Sequence, residues 1–70
     1  MNQYFITLIQ YLDTLDEKFY NTLKRYSDGT FVLYITNYKV AAFSRMYNYN
    51  TEGFLKAITE AKDFINQSQK

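Results

Sequence analysis

Apolar positions set the first reading of the chain. From Asn2 to Tyr26 there is no Gly or Pro, and Phe5, Leu8, Leu12, Leu15, Phe19 and Tyr26 recur at steps of three and four, with Thr22 filling the one gap. That period predicts a long amphipathic helix, widened by Ile9 and Leu23, with Asp13, Asp16, Glu17, Lys24 and Arg25 on its wet side. The stripe is too wide and too short for a coiled-coil seam, so it is expected to face a core. Ser27-Asp28-Gly29 supplies a stop. Asp28-Gly29 is also a hairpin signal, which leaves open a short first strand over Thr22 to Ser27.

The pattern then changes period. Thr30 to Thr36, Thr-Phe-Val-Leu-Tyr-Ile-Thr, is β-branched or aromatic at all but Leu33 and reads as a strand. Asn37-Tyr38 is taken as a tight turn, and Val40 to Tyr47 as the returning strand. Such a turn pairs Ile35 with Val40, Leu33 with Ala42 and Phe31 with Ser44. Beyond it, Asn50 or Thr51 caps a second helix with Glu52 in its first turn and Phe54, Ala57, Ile58, Ala61 and Ile65 on one face. The tail from Asn66 is expected to fray. The expected fold class is therefore α+β, with an αββα or αβββα order, a β-hairpin or three-stranded meander between two helices, and both helices on one face of the sheet.

Those expectations place a binding surface. With the helices over Phe31, Leu33, Ile35, Val40 and Ala42, the open face carries Val32, Tyr34, Thr36, Lys39, Ala41, Phe43 and Arg45, with Tyr47 beside it. An open face is normally polar, and apolar rings there mark an interaction site. The candidate binding residues are thus Val32, Tyr34, Lys39, Phe43, Arg45 and Tyr47. A slip of one residue in the hairpin would exchange the faces.

Composition narrows the chemistry. Eight Tyr and six Phe stand among 70 residues, while His, Cys, Trp and Pro are absent. The chain has no side chain titrating near neutrality and no thiolate for catalysis, disulfides or zinc, so an enzyme, a metal site and a cofactor are all unexpected. Asp13 and Glu17 lie one turn apart, which is the ordinary arrangement of a solvated helix face, and Gly29 and Gly53 belong to no phosphate-binding loop. AT-rich coding also favours Tyr, Asn, Lys, Phe and Ile, so the placement of the rings carries more than their number.

Eight basic against seven acidic residues give a net charge of +1, so there is no global field to attract nucleic acid or a membrane surface. No Lys or Arg precedes Lys18, which argues against a signal peptide, and no run reaches the roughly 18 apolar residues of a membrane span. A cytoplasmic protein is expected. One 70-residue domain has only roughly 3–5 kcal/mol from its core, which favours a homodimer.

The expected function is a non-catalytic protein-binding module, homodimeric, of the kind phages and mobile elements use to inhibit or regulate a host machine, as anti-CRISPR proteins do. No motif ties the chain to that group. The alternative is nucleic-acid binding on an aromatic and basic sheet face through Tyr34, Phe43, Lys39 and Arg45, weak and salt-dependent at this net charge. With three strands, the element order resembles the double-stranded-RNA-binding domain. That family uses a His-containing loop and a Lys cluster opening the last helix, whereas this chain lacks His and opens its helix Asn50-Thr51-Glu52-Gly53.

Overall fold

The structure, a computed structural model, describes residues 2–37 and 41–68. Helix α1 (Gln3–Asp13) leads into strands β1 (Phe19–Arg25), β2 (Thr30–Asn37) and β3 (Ala41–Asn48), and helix α2 (Thr51–Ser68) closes the chain. The strands form one antiparallel sheet in the order β1-β2-β3, an αβββα member of the α+β class.

The N-terminal helix is much shorter than its period predicts. Asn2 caps α1 by accepting the Tyr4 and Phe5 amides at 2.8 and 3.3 Å. At the other end Thr14 turns its hydroxyl onto the Tyr11 carbonyl at 2.7 Å, and the Asp16 carboxylate accepts the Lys18 amide at 3.2 Å. These local side-chain bonds compete with the helix ladder and stop it. Phe19 to Arg25 then pairs along its length with β2, from Phe19 opposite Asn37 to Arg25 opposite Phe31. The ambiguity of this segment has a physical cause. Steps of four from Leu15 to Phe19 to Leu23 satisfy a helix face and a strand face equally, and pairing with β2 decides between them.

Ser27-Asp28-Gly29 is accordingly a hairpin loop rather than a helix stop. Tyr26 donates its amide to the Thr30 carbonyl at 2.9 Å, and Gly29 sits at φ 88°. Asp28 accepts both the amide and the hydroxyl of Thr30, at 3.1 and 2.6 Å, and those bonds hold its carboxyl below the usual range. A three-residue loop ending in a left-handed glycine matches the twist of the strands it joins.

The second hairpin also departs from expectation. Asn37 pairs with Ala41, not across a two-residue turn, so Ile35 faces Phe43, Leu33 faces Arg45 and Phe31 faces Tyr47. Each β2 residue meets a partner three positions further along than a two-residue turn gives. Three is odd, so the faces of β3 exchange while those of β2 stay as expected.

The core fills the space between sheet and helices. Phe31, Leu33 and Ile35 from β2, Phe19, Phe43 and Tyr47 from the flanking strands, Leu8 and Leu12 from α1, and Phe54, Ala57, Ile58, Ala61 and Ile65 from α2 form one buried cluster. Both helices therefore cover the same face of the sheet. They run in the same direction, with Phe5 against Phe54 at 5.2 Å near their starts and Lys62 over Tyr11 at 5.5 Å further along.

Candidate functional site

Two surfaces stand out, one on each side of the sheet. On the open face the register aligns three rows: Tyr20–Thr36–Ala42, Thr22–Tyr34–Ser44 and Lys24–Val32–Met46. Tyr20 and Met46 are 60% and 63% exposed, and Val32 and Tyr34 are half-buried between their neighbours. Lys24 is the one charged residue of these rows, its ammonium 5.3 Å from the Tyr26 ring. The placement of Val32 and Tyr34 on an open apolar face agrees with the sequence reading. Tyr20 and Met46 were hidden from it, the first by the helical reading of its segment and the second by the hairpin register.

Phe43, Arg45 and Tyr47 lie on the other side, which corrects their expected place on the open face. Phe43 and Tyr47 are buried, and Arg45 stands at the rim of the sheet. Ala42, Ser44 and Met46 take the open face instead. Val40 and Lys39 fall outside the described residues. The aromatic and basic surface expected from Tyr34, Phe43, Lys39 and Arg45 is thus divided, since Tyr34 faces away from Phe43 and Arg45.

Around Arg45 a second surface forms, where the edge strand β3 meets α2. The Phe43 and Phe64 rings pack 5.5 Å apart. Arg45 lies 3.6 Å from a Glu60 carboxylate oxygen and 5.5 Å from the Phe43 ring. Tyr47 donates its hydroxyl to the same Glu60 oxygen at 2.8 Å. Burial, then the Glu60 carboxylate that accepts its proton, pushes the Tyr47 phenol well above the ordinary tyrosine range. A cavity of about 260 Å³ opens here, lined by Phe43, Arg45, Glu60, Asp63, Phe64 and Gln67. Another of about 190 Å³ follows towards the start of α2, between Tyr47, Glu52 and Lys56.

The end of this groove is fixed by the start of α2. Asn50 caps the helix by accepting the Gly53 amide at 2.8 Å. Asn48 accepts the Asn50 amide through its carbonyl at 2.9 Å. Gly53 lies so close to that carbonyl that an added Cβ would sit 1.8 Å from its oxygen.

Among the described residues no group of three or more His, Cys, Asp or Glu could hold a metal ion, and no helix is long and apolar enough to cross a membrane. Among the described residues, neither surface brings together a nucleophile, a base and an oxyanion donor. No protein family, curated protein or solved structure matches the chain.

Proposed function

We propose that this protein is a non-catalytic protein-binding module that self-associates into a homodimer across its open sheet face. The supporting observation is the set of large side chains on that face, Tyr20, Val32, Tyr34 and Met46, which stand among Thr22, Thr36, Ala42 and Ser44 with a single cation. An antiparallel sheet covered on one side ordinarily turns polar residues to water on the other.

A second copy suits the arrangement. A two-fold axis lying along β2 stacks each row on its own reverse. Lys24 then lies on Met46 of the second copy and Tyr20 on Ala42 of the second copy, while Val32 and Tyr34 each meet their own counterparts. Tyr20 opposes a small side chain and no like charges meet, as a self-complementary isologous interface allows. The three rows span roughly 14–20 Å along the strands by 10–14 Å across them from strand rise and spacing. That is under half of a standard interface side of about 800 Å², which puts the contact in the size class of weak, transient associations.

Nucleic-acid binding receives less support, because Arg45 lies across the sheet from Tyr34 and is engaged by Glu60. An inhibitor or regulator role of the phage type rests on small size and composition, and in it the dimer would present two copies of the remaining surface to a host protein.

Light scattering after size exclusion, over a range of concentrations, tests the reading. The wild type is expected to shift from monomer to dimer, and Tyr34→Lys, which places two charges at the centre of the face, to stay monomeric with an unchanged circular dichroism spectrum. A wild type that remains monomeric at millimolar concentration refutes self-association. A mobility shift of single-stranded or duplex probes at low salt, lost in Tyr34→Lys, would favour the nucleic-acid alternative.

A further inference from the structure

We propose that the groove between the free edge of β3 and α2 takes an extended segment of a partner protein by strand addition, with an arginine or lysine of that segment seated beside Phe43 and Phe64. The pairing uses the edge backbone of Ala42, Ser44 and Met46, whose side chains stand on the open face, while the cavity for the cation lies on the helix side of the sheet.

The backbone supplies the first half of the case. Tyr49 donates its amide to the Gly29 carbonyl at 2.8 Å, which fixes the hydrogen-bonding phase of β3 against β2. Alternation along an antiparallel ladder then turns the N–H and C=O groups of Ala42, Ser44 and Met46 outward. The free stretch ends at Asn48, whose carbonyl accepts the Asn50 amide and abuts Gly53. Native edges are commonly guarded by charges, Pro or bulges. β3 has a continuous register from Ala41 to Asn48, and Arg45 is its only charged residue. An extended chain can therefore pair with three consecutive outward positions, as in known β-augmentation.

Charge and shape supply the second half. On the α2 side of an added strand, alternate side chains enter the cavity of about 260 Å³. Its floor is the Phe43–Phe64 ring pair, which suits an aliphatic stem and a cation over a ring. Its walls hold two carboxylates, Glu60 and Asp63, against one guanidinium, Arg45. Glu60 is engaged by Arg45 and Tyr47, and Asp63 makes no ion pair among the described residues. The last turn of α2 has no basic residue to offset its carbonyl ends, so the helix dipole adds to the negative potential. The excess is one negative charge, which an incoming Arg or Lys neutralises.

Antiparallel pairing with β3 of a second copy does not fit this groove. α2 lies mainly over β3, so pairing β3 with β3 of another copy would bring the two α2 helices to roughly the strand spacing of 5 Å. Packed helices need about 8–10 Å. A segment with no helix above it meets no such obstacle.

The test is a titration of the isotope-labelled protein, followed by amide resonances, with a short synthetic peptide of alternating valine and threonine bearing one central arginine. Saturable shifts are expected at the amides of Ala42, Ser44 and Met46. Binding should weaken by about tenfold when the arginine is replaced by glutamate, and vanish when alternate peptide amides are N-methylated. Asp63→Asn, which leaves the core untouched, should shrink the arginine-over-glutamate preference without moving the site. The proposal is overturned by an absence of shifts, by shifts confined to Asn21, Leu23 and Arg25 on the β1 edge, by equal binding of the glutamate peptide, or by a peptide-free dimer with these β3 amides protected from exchange.

Discussion

Replacing Gly53 by alanine sets two effects of opposite sign against each other. In a helix alanine is favoured over glycine by at most about 1 kcal/mol, and less in a first turn. Against this, the new Cβ would lie 1.8 Å from the Asn48 carbonyl oxygen and 2.8 Å from its carbon, where ordinary contact begins at 3.4 Å. The difference, 3.4 − 1.8, asks for a movement of 1.6 Å. Both sides of the contact are backbone and both are held. Asn48 accepts the Asn50 amide, its neighbour Tyr49 donates to Gly29, and Gly53 itself donates to the Asn50 cap. Overpacking of this kind costs about 1–3 kcal/mol, with backbone obstacles towards the upper end. The net expectation is a loss of about 1–2 kcal/mol from a domain holding only roughly 3–5, which lowers Tm by roughly 5–15 °C. Thermal and urea unfolding followed by circular dichroism measure it. Thr59→Ala, on the exposed side of α2, serves as the control and should be neutral or slightly stabilising. A Gly53→Ala protein as stable as the wild type would refute the close approach of α2 to the end of β3.

Two further outcomes follow from single residues. Tyr47→Phe removes the 2.8 Å bond to Glu60 and should cost about 1–2 kcal/mol at neutral pH. Because the Tyr47 phenol is raised in the folded state, its contribution is complete below the ordinary tyrosine value of about 10 and is lost as pH climbs through the folded value. Urea unfolding from pH 8 to 11 should therefore show a shallower alkaline decline in Tyr47→Phe than in the wild type, and parallel declines would contradict the assignment. Gly29→Ala meets no obstructing atom but must adopt φ 88°, so a loss of about 1 kcal/mol is expected in the same unfolding assay, and a gain would show that the loop is not left-handed there.

How much of this was legible depended on whether a segment's pattern admits one period or two. Thr30 to Asn37 alternates buried and half-buried residues in a run no helix would favour, and its faces came out as expected. The face of Phe54, Ala57, Ile58, Ala61 and Ile65 fits only a helix, and it is buried as expected. Leu15, Phe19 and Leu23 fit both periods, so the boundary of α1 lay beyond pattern alone, although Asp28-Gly29 did signal the hairpin that displaced the helix. The site suffered most because it depended on parity. Val32 and Tyr34 belong to the central strand and keep their face, while Phe43, Arg45 and Tyr47 take theirs from the β2–β3 register, which lies three positions from the one the Asn37-Tyr38 signal implies. A signal was available in β3 itself: Phe43 and Tyr47 alternate with Ala42 and Ser44, and the bulkier series is the better candidate for a core. The acidic residues of the groove, Glu60 and Asp63, sit outside the apolar stripe of α2 and gain meaning only from the strand beside them.

The amide of Asn2 does more than cap α1, for it also donates to the Thr51 hydroxyl at 3.0 Å, joining residues 49 positions apart. The two hairpins are assembled from near neighbours in the chain, whereas α1 meets α2 only by closing a separation of 49 positions. Loop-closure entropy for a separation of this size is roughly 3 kcal/mol before any contact is rewarded. Closure of α1 is therefore expected late in folding and its release early in opening, which amide exchange would show as weaker protection in α1 than in β2 and α2, and equal protection would refute. Through the Asn2–Thr51 contact an eleven-residue helix is tied at its start to the start of α2.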